Sequence, residues 1–437
     1  MSEPICIGVL GLGNVGAGVL EVLDRNADVL TQRTGKRLVV KTVLVHDLHK
    51  KRSVSLGSAT LTVNAEDILN DPDIRIVVEV MGGEQPAYDY ICAALRAGKY
   101  VVTANKEVVS KHKKTFFELA RKHHTDIYFE ASVGGGIPII RSLKVGYAAN
   151  QVKAFYGILN GTTNYILTQI SEKNQSFEVA LKTAQELGFA EADPTMDVSG
   201  LDTAYKLSIL AAVALKSEVQ VSDISYEGIE KVTLHDIRHA REMGYAIKLL
   251  AIGQQTGRGG ISLRVHPTMI PLSHPLAHVR NELNALFMVG DMVGEAMLLG
   301  RGAGSLPTGS AVVSDIVDIV FDMAYEEPKR TQRNLEPHYE GAVLVDAGTV
   351  ASQFYIRLWV ADAPGTLAKL AAILGEWDIS ISKMMQQSVK NEVAELIIVT
   401  HSVLEKKMRQ ALSQIETLPE VKDIASLLHV GLDEGGL

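Results

Sequence analysis

Hydrophobic and polar positions follow one pattern in the first part of the chain. Within residues 1–130, short apolar runs alternate with segments of helical period. The predicted strands are Ile5–Leu10, Val39–Val45, Ile74–Met81, Tyr100–Thr103 and Ile127–Glu130, and the predicted helices include Val15–Leu30 and Tyr88–Ala97. Strands that alternate with helices in this way predict a doubly wound parallel sheet with right-handed crossovers.

The pattern changes near Val152, where longer stretches of helical period begin and strand-like runs follow them. The predicted helices are Thr163–Glu172, Phe177–Leu187, Gly200–Leu215 and Ile237–Leu250, and the predicted strands include Ile261–His266 and Ala285–Val289. Helices and strands grouped in this way indicate an α+β domain with a partly open sheet. The charged segment Tyr325–Tyr339 is predicted to be a linker.

A third, compact pattern of strands and helices begins near Gln353. Its predicted elements are strand Gln353–Val360, helix Thr366–Glu376, strands Ile379–Met384 and Ala394–Thr400, helix Glu405–Ile415 and strand Val421–Leu428. We therefore predict an α/β protein of three domains. A parallel-sheet domain spans residues 1–150, with an allowance for a return of the chain near 305–325. An α+β domain spans 151–340, and a βαββαβ domain of ferredoxin-like order spans 350–437.

The composition of the chain argues against nucleic-acid binding and against a membrane protein. With 437 residues, 46% of them apolar, the chain has enough material for two or three buried cores. A net charge of −8 argues against nucleic-acid binding, because phosphate neutralisation needs a concentrated basic surface. No apolar run reaches the ~18 residues of a membrane span, and the N-terminus lacks the basic start of a signal peptide. We expect a cytoplasmic protein without a membrane partner.

The strongest local motif directly follows the first predicted strand and opens a helix. Its residues are Gly11, Leu12, Gly13, Asn14, Val15 and Gly16, a GxGxxG pattern. In such motifs the first glycine allows a tight turn, the second lets the backbone approach a pyrophosphate, and the third allows close packing of helix on strand. The helix N-terminus supplies amide donors for the phosphates. The motif predicts a Rossmann-type dinucleotide site; a glycine-rich turn without a ligand is the alternative.

Residues after the second predicted strand bear on the choice of dinucleotide. Asp47 suits the ribose hydroxyls of NAD, although it lies further from the glycines than the usual ~20 residues. The residues Lys50, Lys51 and Arg52 suit the 2′-phosphate of NADP. A solvated basic loop is the alternative interpretation. We favour NADP over NAD.

Two further segments end where a doubly wound fold places its ligand, at the carboxyl ends of strands. In the first, Lys106 follows the strand that ends at Thr103, where an ammonium can bind an anionic substrate or donate a proton. In the second, Glu130 precedes three consecutive glycines and a proline, a rigid loop whose carbonyls suit a hard monovalent cation. A solvated lysine and an ordinary tight turn are the respective alternatives.

The densest polar cluster runs from Gly188 to Lys206 and contains four carboxylates and a lysine within sixteen residues. Asp202 and Lys206 are four residues apart and therefore lie on one helix face. A surface ion pair is the simplest interpretation. Because the same helix continues as a strongly apolar run, however, we expect it to be buried and the charged pair to line a cleft.

Together these motifs resemble those of the homoserine dehydrogenase family. They are GLGNVG, TANKE, EASVGGGIP, NGTTNYIL, GFAEADPTMDVSGLDTAYK, and Gly302–Gly304 with Pro307–Gly309. They cover residues 5–320 in the family's order and spacing. The resemblance implies reversible reduction of L-aspartate 4-semialdehyde to L-homoserine with NADPH or NADH, a step in threonine, methionine and isoleucine biosynthesis. It also implies that the second domain binds substrate and forms a homodimer or homotetramer.

The resemblance assigns a role to each matching residue. Lys206 is the implied proton donor to the carbonyl oxygen, with Lys106 as a second catalytic lysine. Glu191 would bind the substrate amino group, and Asp197 and Asp202 would support the polar network. The residues matching the family's monovalent-cation loop, for sodium or potassium, are Glu130, Val133, Gly135 and Ile137. The predicted cofactor-binding residues are Gly11–Gly16, Lys50, Arg52, Thr103, Lys106 and Gly302.

The third domain resembles an ACT domain, both in its order of elements and in the turn Asp362–Gly365. Gly365 would expose backbone amides at the start of a helix, which suits a carboxylate. Members of that family bind amino acids at paired interfaces, and the implied ligand is L-threonine as a feedback inhibitor. A domain used only for oligomerisation is the alternative.

Two rival functions remain at the level of sequence. An aldehyde dehydrogenase would need a cysteine nucleophile, but Cys6 lies in a predicted strand and Cys92 in a predicted helix. Both cysteines are predicted to be inert core thiols. The other rival is a catalytically inactive regulator that senses a nucleotide and an amino acid. The complete set of lysines and carboxylates argues against it.

Overall fold

The computed structural model describes residues 3–323, 343–388 and 392–432. The predicted linker Tyr325–Tyr339 lies outside these residues. Among the helices that the model describes, none is long and apolar enough to cross a membrane.

The first domain contains a six-stranded sheet in which all strands are parallel. Its strands are β1 (Ile5–Leu10), β2 (Leu38–Leu44), β3 (Thr60–Thr62), β4 (Ile74–Glu79), β5 (Tyr100–Thr103) and β6 (Ile127–Tyr128). They lie in the order β3-β2-β1-β4-β5-β6, so the strand order reverses between β1 and β4. A doubly wound sheet binds its ligand at this reversal, outside the carboxyl ends of the strands.

Helices cover both faces of this sheet, which explains why its strands are continuous apolar runs. They are α1 (Asn14–Arg25), α2 (Ala27–Thr34), α3 (Glu66–Leu69), α4 (Ala87–Arg96), α5 (Lys106–Lys122) and α6 (Ile139–Arg141). The single helix predicted over Val15–Leu30 is wrong, because the chain breaks at Asn26 into α1 and α2. The short strand β3 was not predicted.

The second domain combines a helical layer with antiparallel strands. Its elements are β7 (Val152–Ile158), α7 (Gly161–Lys173), α8 (Phe177–Glu186), α9 (Thr195–Val198), α10 (Leu201–Ala214), β8 (Ser225–Tyr226), α11 (Leu234–Glu242), β9 (Tyr245–Thr256), β10 (Gly260–Pro271), β11 (Leu283–Gly290), β12 (Gly294–Arg301), α12 (Ser305–Met323) and β13 (Val343–Leu344). The strands lie in the order β12-β11-β7-β9-β10. Helix α10 packs on β9 and β10 and also on α5 of the first domain.

The helix predicted over Ile237–Leu250 is wrong in its second half. Helix α11 ends at Glu242, Gly244 adopts a left-handed conformation with φ 89°, and the chain continues as strand β9. A glycine that follows basic residues in the last turn is a helix-stop signal. Strand β9 is buried through eight consecutive residues from Ile247 to Gln254, so its apolar run carries no alternation that would distinguish it from a helix.

Helix α12 returns to the first domain, where it packs against α1. The contact is backbone to backbone: a Cβ on Gly18 would lie 2.1 Å from the carbonyl oxygen of Ser305, and one on Gly309 would lie 2.6 Å from the carbonyl carbon of Gly18. Only glycine allows two helices to approach so closely. The Ser305 hydroxyl also donates to the Asn14 carbonyl at 2.6 Å, which holds the start of α12 against the dinucleotide motif.

The third domain is a βαββαβ unit with one added short strand. Its elements are β14 (Ala351–Ala361), α13 (Thr366–Glu376), β15 (Ile381–Ser388), β16 (Val393–Thr400), β17 (Val403–Leu404), α14 (Glu405–Ile415) and β18 (Val421–Val430). The order β18-β14-β16-β15 is antiparallel throughout. Strand β18 also pairs parallel with β10, with Thr268 opposite His429. The second and third domains therefore share one continuous sheet.

Candidate active site

The GxGxxG motif forms the turn from β1 into α1. Gly11 has φ 103°, in the left-handed region that favours glycine. A Cβ on Gly16 would lie 2.3 Å from the Gly11 carbonyl oxygen, whereas one on Gly13 would meet nothing within 4 Å. The space beside Gly13 is thus open where the backbone has to approach a pyrophosphate, and α1 begins at the next residue. These residues fit a dinucleotide.

The loop after β2 carries the residues that were predicted to distinguish NADP from NAD. The Asp47 carboxylate accepts from the His49 amide at 2.8 Å, so part of its bonding capacity is used locally. The Arg52 guanidinium donates to the Asp47 carbonyl and, at 2.7 Å, to the Lys50 carbonyl, which holds it folded over the loop. Lys50 is exposed. The loop therefore presents two cations at the carboxyl end of β2.

At the junction of the first two domains, one carboxylate lies between two lysines. Lys106 is the first residue of α5, and its Nζ lies 2.7 Å from Asp202 Oδ1. Lys206, one turn after Asp202 on α10, has its Nζ 2.7 Å from Asp202 Oδ2. The Asp202 side chain is only 3% exposed, compared with 12% for Lys206 and 38% for Lys106. The more buried lysine also donates to the Leu159 carbonyl at 2.7 Å.

A second layer of polar residues holds Asp202 and Asp197 in place. The Asn160 side-chain amide donates to Asp202 Oδ2 at 2.8 Å and to Asp197 Oδ1 at 2.7 Å. The Thr162 hydroxyl lies 3.1 Å from Asp197 Oδ2. Neither Asn160 nor Thr162 was predicted from sequence as a site residue. One feature of the sequence could have identified Asn160, namely its position directly before a predicted helix. In the structure Asn160 caps α7 by accepting a hydrogen bond from the Thr163 amide.

The charges of Asp202 and the two lysines lower the pKa of the carboxyl group and raise the pKa of Lys106. Burial alone would raise the pKa of Asp202, but the two ammonium groups outweigh burial and hold that pKa well below its usual range. The Asp202 charge, opposed by burial, raises the pKa of Lys106. Burial, together with the nearby Asp202 charge, raises the pKa of Asp197. At neutral pH the site therefore holds a fixed carboxylate and a lysine kept in its ammonium form.

Lys106 is positioned by a buried carboxyl group at the ends of β4 and β5. Glu79 is fully buried and accepts from the Thr103 hydroxyl at 2.6 Å and from the Met81 amide at 2.8 Å. The Thr103 hydroxyl in turn accepts from the Asn105 amide, and Asn105 caps α5. The predicted cofactor residue Thr103 thus turns its hydroxyl into the protein. Glu79 was not singled out because it lies inside a predicted apolar strand.

The residues predicted to hold a cation, Glu130, Val133, Gly135 and Ile137, are all buried. The Glu130 carboxylate accepts from the amides of Ile140 and Arg141 at 2.8 and 2.7 Å, so it is used to hold α6. The buried carbonyls of Val133 and Gly135, by contrast, accept no hydrogen bond from any described residue. Orphaned buried carbonyls are the donor set that a hard cation prefers. The loop fits a monovalent cation through its backbone.

The remaining predicted residues flank the cluster. Glu191 is exposed, and its charge contributes to the raised pKa of Lys106. Gly302 lies between the cation loop and β11: its carbonyl oxygen would be 2.4 Å from a Cβ on Gly135, and its own Cβ would clash with Asn284. Gly302 therefore allows close packing of the cation loop.

Comparison with known proteins explains this arrangement. Sequence models described as homoserine dehydrogenase, the homoserine dehydrogenase NAD-binding domain and the ACT domain match residues 138–317, 11–130 and 354–420. The homoserine dehydrogenase of Bacillus subtilis is 40% identical over 98% of both chains. The chain belongs to the homoserine dehydrogenase family. A solved homoserine dehydrogenase from Thiobacillus denitrificans, 41% identical, superposes with a TM-score of 0.92 over 98% of both chains.

As a homoserine dehydrogenase, the chain is an NAD(P)-dependent oxidoreductase that interconverts L-aspartate 4-semialdehyde and L-homoserine. The rival chemistry through a cysteine nucleophile has no support in the structure. Cys92 is buried in α4, and Cys6 lies in β1. Burial raises the pKa of both thiols, which disfavours the reactive thiolate.

Asp202→Asn tests the electrostatic coupling of the site. The amide keeps the size of the side chain but removes the charge that raises the pKa of Lys106. We expect the alkaline limb of the kcat/KM profile for homoserine oxidation to move to lower pH, because Lys106 then loses its proton more easily. We also expect kcat to fall by about 100-fold or more. Asp193→Asn, in the nearby exposed loop, is the control and should leave the profile in place. An unmoved alkaline limb in Asp202→Asn would contradict the coupling.

Proposed function

We propose that Lys206 is the proton donor to the aldehyde oxygen during reduction. Its Nζ uses two hydrogen bonds, to Asp202 and to the Leu159 carbonyl, so one of its three protons is left for a substrate. The bound dinucleotide supplies the hydride. As the carbonyl carbon accepts that hydride, negative charge builds on oxygen, and a preorganised ammonium stabilises and then protonates it. In the reverse direction the same amine takes the hydroxyl proton.

The remaining polar groups of the site suit a small zwitterionic substrate. Lys106 is the more exposed lysine, and among the described residues its one ion-pair partner is Asp202, which leaves it able to bind the substrate carboxylate or support proton transfer. The exposed Glu191 supplies a carboxylate for the substrate amino group. Asp197, which accepts hydrogen bonds from Asn160 and Thr162, supports the polar side of the substrate site.

The cofactor preference follows from the loop after β2. Arg52 is folded over that loop by two backbone carbonyls, and Lys50 is exposed beside it, so both suit a 2′-phosphate. The Asp47 carboxylate accepts a hydrogen bond from the His49 amide, so part of its bonding capacity is used within the loop. This favours NADP over NAD. A hyperthermophilic archaeal homoserine dehydrogenase of similar fold, 23% identical, is described in complex with NADPH.

A sodium or potassium ion would be held by the backbone of the loop at Glu130, Val133, Gly135 and Ile137. The carbonyls of Val133 and Gly135 carry this part of the proposal because they are buried and have no hydrogen-bond donor among the described residues. The ion would order the loop that packs against Gly302 and so keep the substrate cleft rigid. It takes no part in the chemical step.

The ACT domain provides a site for feedback inhibition by L-threonine. A cavity of about 320 Å³ lies beside the turn Asp362–Gly365, where α13 begins, and Gln386 of β15 lines its wall. The amides at the start of α13 suit a carboxylate, and Asp362 suits an ammonium. The Asp362 carboxylate accepts a hydrogen bond from the Gln386 side chain at 3.2 Å, so both residues face the same cavity.

Self-association through the second domain is the remaining part of the proposal. Strand β12 lies at the edge of the long sheet; its Leu299 is 53% exposed, and Met292, in the turn that precedes it, is 81% exposed. An edge strand with exposed apolar side chains is a template for pairing with another strand. A second copy of this chain is the occupant we propose, which gives a homodimer, or a homotetramer if ACT domains also pair.

Lys206→Ala tests the assigned proton donor. Removal of a general acid costs on the order of 10³ in rate, and we expect that loss in kcat with a nearly unchanged dissociation constant for the nicotinamide cofactor. Steady-state homoserine oxidation and cofactor fluorescence titration measure the two quantities. Lys182→Ala, an exposed lysine on α8, is the control. Near-normal turnover in Lys206→Ala would refute the role.

Combined substitution of Lys50 and Arg52 by alanine tests the cofactor preference. Loss of two charged partners should raise KM for NADP by at least about tenfold, since each charge-assisted hydrogen bond contributes ~1.5–3 kcal/mol. KM for NAD should stay the same. Arg33→Ala, in the last turn of α2, is the matched control. Equal changes in the two KM values would argue against 2′-phosphate recognition by this loop.

Gln386→Ala tests the effector site. Gln386 lines the cavity beside the turn, whereas Gln387 points to the opposite face of β15, so Gln387→Ala is a matched control. We expect L-threonine to inhibit homoserine oxidation by the unaltered enzyme. Its half-inhibitory concentration should rise about tenfold in Gln386→Ala and stay unchanged in Gln387→Ala. Inhibition that both variants retain in full would place the effector elsewhere.

A further inference from the structure

Two histidines and a glutamate meet at the joint between the second and third domains. His235 and His239 lie one turn apart on α11, and Glu395 lies on β16 of the ACT domain. One ligand atom from each side chain can be chosen so that all three atoms lie within 4.8 Å of one another. His239 and Glu395 are buried, whereas His235 is 58% exposed. The cluster lies outside the dehydrogenase site and has no part in the chemistry described above.

The distances within this cluster are too long for hydrogen bonds. His235 Nδ1 lies 3.7 Å from Glu395 Oε1, and His239 Nε2 lies 3.5 Å from Glu395 Oε2. Hydrogen bonds between nitrogen and oxygen are ~2.7–3.2 Å long. Ligand atoms around one tetrahedral zinc ion, by contrast, are about 3.4 Å apart for metal–ligand distances of ~2.0–2.1 Å. The observed separations match a shared ion better than a direct contact.

His239 is the unsatisfied member of the cluster. Its side chain is 7% exposed, and neither of its ring nitrogens has a hydrogen-bond partner among the residues that the structure describes. A buried imidazole without partners is costly, since each unpaired polar atom costs ~1–3 kcal/mol. Coordination through Nε2 would satisfy one nitrogen. Glu242 Oε2, 3.7 Å from Nδ1, is placed to accept from the other, as in carboxylate–histidine–metal arrangements.

Glu395 shares its guanidinium partner, Arg357, with a second buried carboxylate, Asp236. Arg357 is nearby, but it is held by Asp236: its Nε donates to Oδ1 at 2.7 Å and its Nη2 to Oδ2 at 3.1 Å. Its contact with Glu395 is longer, at 3.4 Å. Among the described residues, the Asp236 and Glu395 carboxylates, both buried, thus share one guanidinium. Buried excess charge is unfavourable unless a cation joins it.

We propose that His235, His239 and Glu395 form a binding site for a divalent transition-metal ion of the zinc class, which joins α11 to the ACT domain. Two imidazoles and one carboxylate are a ligand set that zinc accepts, and histidines four residues apart on a helix are a recurrent pair for it. Solvent at the exposed His235 side supplies the fourth ligand. Because the ligands come from two domains, the ion stabilises the joint between them.

Zinc titration of the full-length enzyme, stripped beforehand with a chelator, tests this site. We expect one zinc ion to bind per chain by isothermal titration calorimetry, and Tm to rise on binding because the ion binds only the folded joint. Cobalt(II) in place of zinc should give visible absorption bands of a low-symmetry site with nitrogen and oxygen ligands. The absence of both a binding isotherm and a Tm shift would overturn the proposal.

The variants separate this site from adventitious binding. His235→Ala removes an exposed side chain and should leave the fold intact, yet we expect zinc affinity to fall on the order of 100-fold, a loss comparable to the largest effects of outer-shell residues on metal affinity. His239→Ala should show the same loss. His401→Ala, an exposed histidine elsewhere in the ACT domain, is the control and should bind zinc like the unaltered enzyme. Unchanged zinc affinity in His235→Ala and His239→Ala would overturn the assignment.

Discussion

The structure of the site depends on one buried carboxylate. Asp202 is placed among apolar neighbours on α10, and its charge is tolerated because Lys106 and Lys206 each lie 2.7 Å from one of its oxygens. Lys106 belongs to the cofactor domain, whereas Asp202 and Lys206 lie on α10 of the second domain, so the Lys106–Asp202 ion pair also joins the two domains. A buried ion pair adds little net stability, but it is strongly destabilising to break. The arrangement therefore fixes geometry more than it lowers the folding free energy.

That constraint explains which parts of the site could be predicted from sequence. Asp202 and Lys206 are local partners, four residues apart on one helix, and Lys106 follows a strand end that a doubly wound sheet always directs to the crevice. Asn160 and Glu79 act through contacts that only tertiary structure creates. The first bridges Asp197 and Asp202 from another helix, and the second is a charge hidden at the end of an apolar strand.

The elements of the fold also divide into those that local sequence patterns predict and those that depend on contacts between distant parts of the chain. The parallel sheet and the βαββαβ domain were predicted because most of their longer elements have a clear period or a turn signal. The boundary between α11 and β9 was missed because β9 is apolar on both faces, and α1 and α2 were merged because Asn26 interrupts the helix without a proline or glycine. The continuity of the two sheets through β10 and β18 carries no sequence signal, since a parallel pairing across domains depends on the whole topology.

This continuity places the ACT domain one strand away from helix α10. Strand β10 pairs with β18 along one edge, and α10, which carries Asp202 and Lys206, packs on the same strand. Packed interfaces of this kind change by discrete shifts rather than by continuous deformation. An effector that moves β18 relative to β10 has to move or release the surface on which α10 rests. Asp202 and Lys206 move together with α10, so even a small displacement of this helix alters the contact between Asp202 and Lys106. The shortest packed route from the ACT sheet to Asp202 and Lys206 thus runs through β10 and not through the cofactor domain.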